Sequence, residues 1–145
     1  MPERSIDYQS YDSKRNPGFQ IQAPSLERLF IDSALALVDQ QVKIMHLESK
    51  ERHTLTLEAA TPESLLLAWL NAVLALMEQQ SFLPKRIYFS AFDGKKIQAT
   101  LMGEKHDPIK HGTLYRFKSV LPEHLSFGTQ NQDGLCFFIK VLLTQ

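Results

Sequence analysis

Apolar and polar positions alternate over residues 19–23, with Phe19, Ile21 and Ala23 on one face, which predicts a short strand. Pro24-Ser25 then opens a helix over residues 25–39, with Glu27 placed favourably in its first turn. Leu26, Leu29, Phe30, Ala34, Leu37 and Val38 recur at helical spacing, while Asp32 and Asp39 lie off that stripe, so one buried face is expected. Residues 40–52 are mixed: Val42, Ile44 and Leu47 read as part of a strand, and Glu48-Ser49-Lys50-Glu51-Arg52 as a charged loop. A strand follows over 53–58, with Leu55 and Leu57 on one face. Thr61-Pro62-Glu63 combines a cap, a proline suited to the first helical position and an acid that meets the helix dipole. The helix it starts, over 62–79, is apolar nearly all round from Leu65 to Met77, which predicts cover on more than one side and Trp69 as its largest packing group.

Beyond residue 85 the periodicity is that of strands alone. Segments 85–92 and 96–102 flank Asp93-Gly94, a hairpin signal. A loop of odd length pairs Ala91 with Ile97, Phe89 with Ala99 and Ile87 with Leu101, which keeps every aliphatic pair on one face. A loop over 103–112 carries Glu104, His106, Asp107, Lys110 and His111. Strands are expected over 113–120, 125–129 and 135–143. The segments QAPSLERLFIDSALAL and EAATPESLLLAWLNAVLAL share local sequence and suggest two strand–helix units side by side. The predicted class is α+β: two layers, with two helices packed on one face of a mainly antiparallel, mixed sheet. Residues 1–17 show no period and read as an irregular arm, and 18–145 as a single domain.

Composition agrees with an ordinary globular domain, since 43% of the 145 residues are hydrophobic and 22% charged. Cys136 is the one cysteine and sits in an apolar strand, where it reads as an inert core thiol. No internal disulfide can form, which points to a reducing, cytoplasmic setting. The polar start carries no secretory signal, and the longest apolar run is too short to span a membrane. The formal charge is zero, but residues 1–83 hold seven basic and eleven acidic side chains, a net of −4. Residues 84–145 hold nine and five, a net of +4, well short of a dedicated nucleic-acid module.

Local catalytic signatures are missing. The six glycines are scattered, and there is no nucleophile elbow or helical His–Glu zinc spacing. His106, His111 and Asp107 form the one cluster with metal-ligand chemistry, but a zinc shell needs a further ligand. Arg116 and Lys118 alternate onto one strand face and offer phosphates a small basic surface.

Read in order, the segments from residue 16 to 143 resemble the archease family. The family's S-L-x-x-L-F-x-x-A-A-x-A-L is matched by the run from Ser25 to Leu37. Its L-L-x-x-W-L-N-x-L-L helix is matched by the run from Leu65 to Leu74, its G-E-x-x-D-x-x-x-H loop by Gly103 to His111, and its K-x-V strand by Lys118-Ser119-Val120. The resemblance implies a small helper protein that promotes a tRNA-splicing RNA ligase and is not itself a catalyst. It also implies a divalent metal such as calcium, held by acids from an H-T-A-D turn, from the second helix and from near the C-terminus. At those places this chain carries Asn16, Ala68 and Leu142, and only Asp12 is near enough in sequence to substitute. Hard cations need several oxygens, so the expectation is no cofactor and a degenerate metal site.

The expected function is therefore a non-enzymatic, archease-like helper that binds a protein partner, by resemblance a tRNA-splicing RNA ligase. Its partner surface is expected at Glu104, Asp107, Lys110 and His111, on a loop held by a rigid sheet. The alternative is an RNA-binding module using the face of Arg116 and Lys118. An enzyme working from the 103–111 loop ranks below both, because no nucleophile–base–orienter set is visible.

Overall fold

The computed structural model describes residues 9–12, 17–42, 44–111, 125–131 and 135–142. Helix α1 spans Leu26–Asp39 and is capped by Ser25, whose extended backbone lets its hydroxyl accept the Arg28 N–H at 3.1 Å. Helix α2 spans Pro62–Gln80. Thr61 and Ser64 cap it reciprocally: the Thr61 hydroxyl accepts the Ser64 N–H at 3.1 Å, and the Ser64 hydroxyl accepts the Thr61 N–H at 3.2 Å. Its C-cap, Ser81, adopts the left-handed region with φ of 52°, and the chain turns straight into the next strand.

Among the described residues the strands form two sheets, and every pairing is antiparallel. One sheet runs β1-β2-β7-β6, with β1 at Gln9–Asp12, β2 at Pro17–Ala23, β6 at Leu125–Asn131 and β7 at Leu135–Leu142. The other runs β3-β5-β4, with β3 at Glu51–Glu58, β4 at Phe82–Phe92 and β5 at Lys96–Lys105. The α+β class stands, and the expected sheet resolves into these two. Gln9–Asp12, within the segment read as an arm, pairs with β2. The strand expected from Val42, Ile44 and Leu47 is instead a 3-10 turn at Ile44–His46, with Leu47 buried in the core and Val42 packed against it from the end of α1. The strand expected over 113–120 lies outside the described residues.

α1 is buried more completely than its one-faced pattern predicts, while α2 has no exposed residue from Leu65 to Met77, as its pattern predicts. α1 packs against β2 and β7 of one sheet, β4 of the other, and α2. It is therefore buried all round over Leu29–Ala34 and Ala36–Val38, including two polar positions. Asp32 is accommodated by an ion pair with Arg28 at 3.3 Å, and Ser33 by donating its hydroxyl to the Leu29 carbonyl at 2.6 Å. α2 buries one face, made by Leu65, Leu66, Trp69, Leu70, Val73, Leu74 and Met77, and leaves Leu67, Ala68 and Leu76 half-buried.

The β4–β5 hairpin turns at Asp93-Gly94. The Asp93 carboxylate accepts the Lys95 and Lys96 N–H groups at 2.8 and 2.7 Å, and Gly94 has φ of +87°. Phe89 faces Ala99 and Ile87 faces Leu101 as expected, but Ile97 faces Phe92 and not Ala91. A register shift between Phe89 and Ala91 adds one residue, and so brings Phe89 and Phe92 to the same side. Their rings stack at 5.4 Å; Phe92 meets Phe30 edge-on at 5.1 Å, and Phe89 meets Trp69 at 5.3 Å. Trp69 is fully buried and donates its indole N–H to the Phe30 carbonyl at 2.8 Å. Among the described residues no helix is long and apolar enough to cross a membrane.

Candidate interaction site

The 103–111 segment is built on the end of β5. A Cβ on Gly103 would stand 1.9 Å from the Leu83 carbonyl oxygen, so only glycine fits where β4 and β5 approach here. The Gly103 carbonyl also accepts the Lys50 N–H at 2.8 Å, which ties the segment before β3 to the same point. Glu104 follows and is only 5% exposed. Its Oε2 accepts the Glu48 backbone N–H at 2.5 Å, and Lys110 Nζ donates to both carboxylate oxygens at 3.0 Å. The pairing continues outward. Lys110 reaches Glu48 Oε1 at 3.5 Å, Lys50 reaches Glu48 Oε2 at 3.1 Å, and Lys85 donates to the Leu47 carbonyl. Asp107 accepts the Ile109 N–H at 2.9 Å and starts the one-turn helix α3, Pro108–His111.

The electrostatics follow from this lattice. The hydrogen bond to Lys50, and next the charge of Lys110, hold the Glu48 carboxyl below its usual range. The hydrogen bond to Glu104 holds the Lys110 ammonium above its usual range. The charged side chains thus fasten the 47–50 segment to the 103–111 segment. What they carry outward is apolar: Ile109 is 96% exposed and Met45 72%.

Of the residues singled out in the sequence, Glu104 and Lys110 are bonded to each other, and Asp107 shapes the turn beside them. His111 ends α3 in backbone, and its side chain lies outside the described residues, as do Asn16, Arg116 and Lys118. Glu48, Lys50, Met45 and Ile109 were not singled out. The run Glu48-Ser49-Lys50-Glu51-Arg52 carries the charges, but nothing local says that its partners lie at 104 and 110.

The register brings together two of the positions considered as metal ligands from the archease resemblance, 12 and 142. Asp12 pairs with Pro17, and Gly18 with Leu142, so positions 12 and 142 share one end of the first sheet. Ala68 lies on α2 beside Trp69. Ala68 and Leu142 have no side-chain oxygen, so these positions do not fit a hard divalent cation.

Helices packed on two antiparallel sheets define an α+β protein. The archease protein family matches residues 8–141, and the chain belongs to that family. It is 28% identical to the protein archease of Pyrococcus abyssi over 121 residues, 78% of this chain and 82% of that one. To the protein archease of Pyrococcus furiosus it is 30% identical over 116 residues, with the same two coverages, 78% and 82%. Its fold is that of protein 1598 of Methanobacterium thermoautotrophicum, at a TM-score of 0.72 and 20% identity, over 95% of this chain and 98% of that one. An archease from Thermotoga maritima, described as a "possible chaperone", matches at a TM-score of 0.58 and 16% identity, over 100% and 99% of the two chains.

Proposed function

We propose that this chain is a non-enzymatic helper that works by binding a protein partner, and that the partner is a tRNA-splicing RNA ligase. The observation that carries the reading is the exposure of Ile109 and Met45. They are two large apolar side chains left in water, Ile109 on the 103–111 segment and Met45 just before the 47–50 segment, which a charge-assisted lattice around buried Glu104 fastens together. Exposed apolar groups fixed on a rigid support are the usual anchors of a protein interface. Glu104, Asp107, Lys110 and His111 then serve the surface, Glu104 and Lys110 by fixing it, Asp107 by shaping its turn and His111 as a proposed contact. Membership of the archease family supports a helper, and the single cysteine supports a reducing, cytoplasmic setting. We read residues 18–145 as the working domain, to which Gln9–Asp12 of the 1–17 arm adds the edge strand β1.

The test is a purified RNA ligase assay with and without this chain. Wild type is expected to stimulate the ligase. Ile109→Asp with Met45→Asp is expected to abolish stimulation at unchanged melting temperature. No stimulation by wild type sinks the reading, and full stimulation by the double variant moves the interface elsewhere.

The family's metal function is expected to be lost, since Ala68 and Leu142 stand where carboxylates belong. A calorimetric titration with calcium, magnesium and manganese should then give no binding in the micromolar range. Micromolar binding would overturn this and implicate Asp12.

A further inference from the structure

The outer face of the β3–β5–β4 sheet, turned away from α2, is open to solvent. Alternation and register set its side chains in rows. One row is Arg52, Met102 and Arg86, and the next is Thr54, Thr100 and Tyr88. A third places Gln98 of β5 between Thr56 and Ala91, and beside Ala91, at the register shift, Ser90 donates its hydroxyl to the Gln98 carbonyl at 3.2 Å. Met102 and Thr100 are half-buried, the rest are exposed, and Tyr88 keeps 51% of its surface in water. No carboxylate stands in these rows. The two arginines lie two strand spacings apart, about 10 Å between backbones. Lys50, Lys85 and Lys110 at one end and Lys96 at the other bring the cations to six, against the carboxylates of Glu48, Glu104 and Glu58. Glu51 and Asp107 stand nearby as well, so among the described residues the cations here outnumber the carboxylates six to five.

We propose that this face binds single-stranded RNA. A flat sheet with an exposed aromatic ring offers a stacking platform for a base, and guanidinium groups beside it meet phosphates or stack in their turn. Threonine and serine hydroxyls and the Gln98 amide offer donors and acceptors to base edges and 2′-hydroxyls. The polar middle favours RNA over a protein partner, because the centre of a protein interface is apolar and here it is hydroxyl and amide. The inference does not depend on the RNA ligase reading, whose anchors, Ile109 and Met45, lie outside these rows.

Fluorescence anisotropy of a labelled oligouridine about 12 nucleotides long, titrated with the full chain, tests the proposal. Two phosphate contacts predict a slope of log affinity on log salt of about −1.4. Arg52→Gln and Arg86→Gln should each reduce its magnitude by about 0.7. Tyr88→Ala should weaken binding about 5- to 150-fold, and Tyr88→Phe should restore most of it, since stacking needs the ring and not the hydroxyl. All three positions are surface sites, and a thermal melt of each variant confirms that it folds. The proposal is overturned if wild type does not bind at about 50 mM salt, if a duplex of the same length binds as tightly, or if Tyr88→Ala and the double arginine variant bind like wild type.

Discussion

Glu104 shows how a charged residue can be structural and still set a surface. Its carboxylate is buried and accepts from the Glu48 N–H and from Lys110 through both oxygens. Glutamine has nearly the same shape but replaces one acceptor with a donor facing the Lys110 donor. Glu104→Gln is therefore expected to cost about 1–3 kcal/mol in urea unfolding, and an unchanged midpoint would mean that the lattice is not holding the loop. The lattice also fixes the shape of the pH dependence. Lys110 titrates higher when folded, so its contribution is complete below the ordinary lysine value of 10.5 and is lost as pH rises through the folded value. Glu48 titrates lower when folded, so its contribution is present above 4.5 and is lost as pH falls through the folded value. Melting temperatures across pH should show a neutral plateau with both shoulders, and Lys110→Met should flatten the alkaline one. A melting curve for Lys110→Met that keeps the alkaline shoulder would remove Lys110 as its source. Little of this site was legible beforehand. The Gly-Glu…His spacing marked residues 103–111, yet Glu104 reads as a solvated charge until the chain brings Glu48 over it, 56 residues away in sequence.

Local signals fixed where the elements begin and turn, because caps and turns act over three or four residues. Ser25, Thr61-Pro62 and Asp93-Gly94 all sit where the sequence puts them. What each element packs against was less legible. The width of an apolar stripe was read as the extent of burial, but burial is decided by neighbours. Being packed against both sheets buries α1 even at Asp32 and Ser33, while α2, more apolar, lies farther out. The β4 irregularity near Ser90 was equally hidden, since a strict period of two puts Phe89 and Phe92 on opposite faces. A close approach of strands is the other device with a clear test. Gly103→Ala forces a methyl to within 1.9 Å of the Leu83 carbonyl oxygen, backbone that cannot swing aside. We expect a loss of about 3 kcal/mol or more, or failure to fold. Gly94→Ala, strained only by its φ of +87°, should cost about 1 kcal/mol. Equal losses at the two sites in denaturant titrations would contradict the steric account of Gly103.

Because α1 touches β2 and β7 on one side and β4 and α2 on the other, it is the element through which the two sheets feel each other. Phe30 sits at the junction. It is fully buried, its ring meets Phe92 of the second sheet edge-on at 5.1 Å, and its carbonyl accepts the Trp69 indole N–H at 2.8 Å. Removing a buried aromatic side chain leaves a cavity, so Phe30→Ala and Trp69→Ala should each cost about 3–5 kcal/mol. They share a hydrogen bond and a ring cluster, so the double variant should lose less than the two single losses added. The stronger expectation concerns cooperativity. If α1 couples the sheets, the chain unfolds in one transition despite having two separate sets of strands. Native-state hydrogen exchange reads this directly. In wild type, the slowest amides of β2 and β7 should open with the same free energy as those of β5. In Phe30→Ala both sets should fall together by the equilibrium loss. A drop confined to one sheet would show that α1 belongs to that sheet alone, and that the two sheets unfold as separate units.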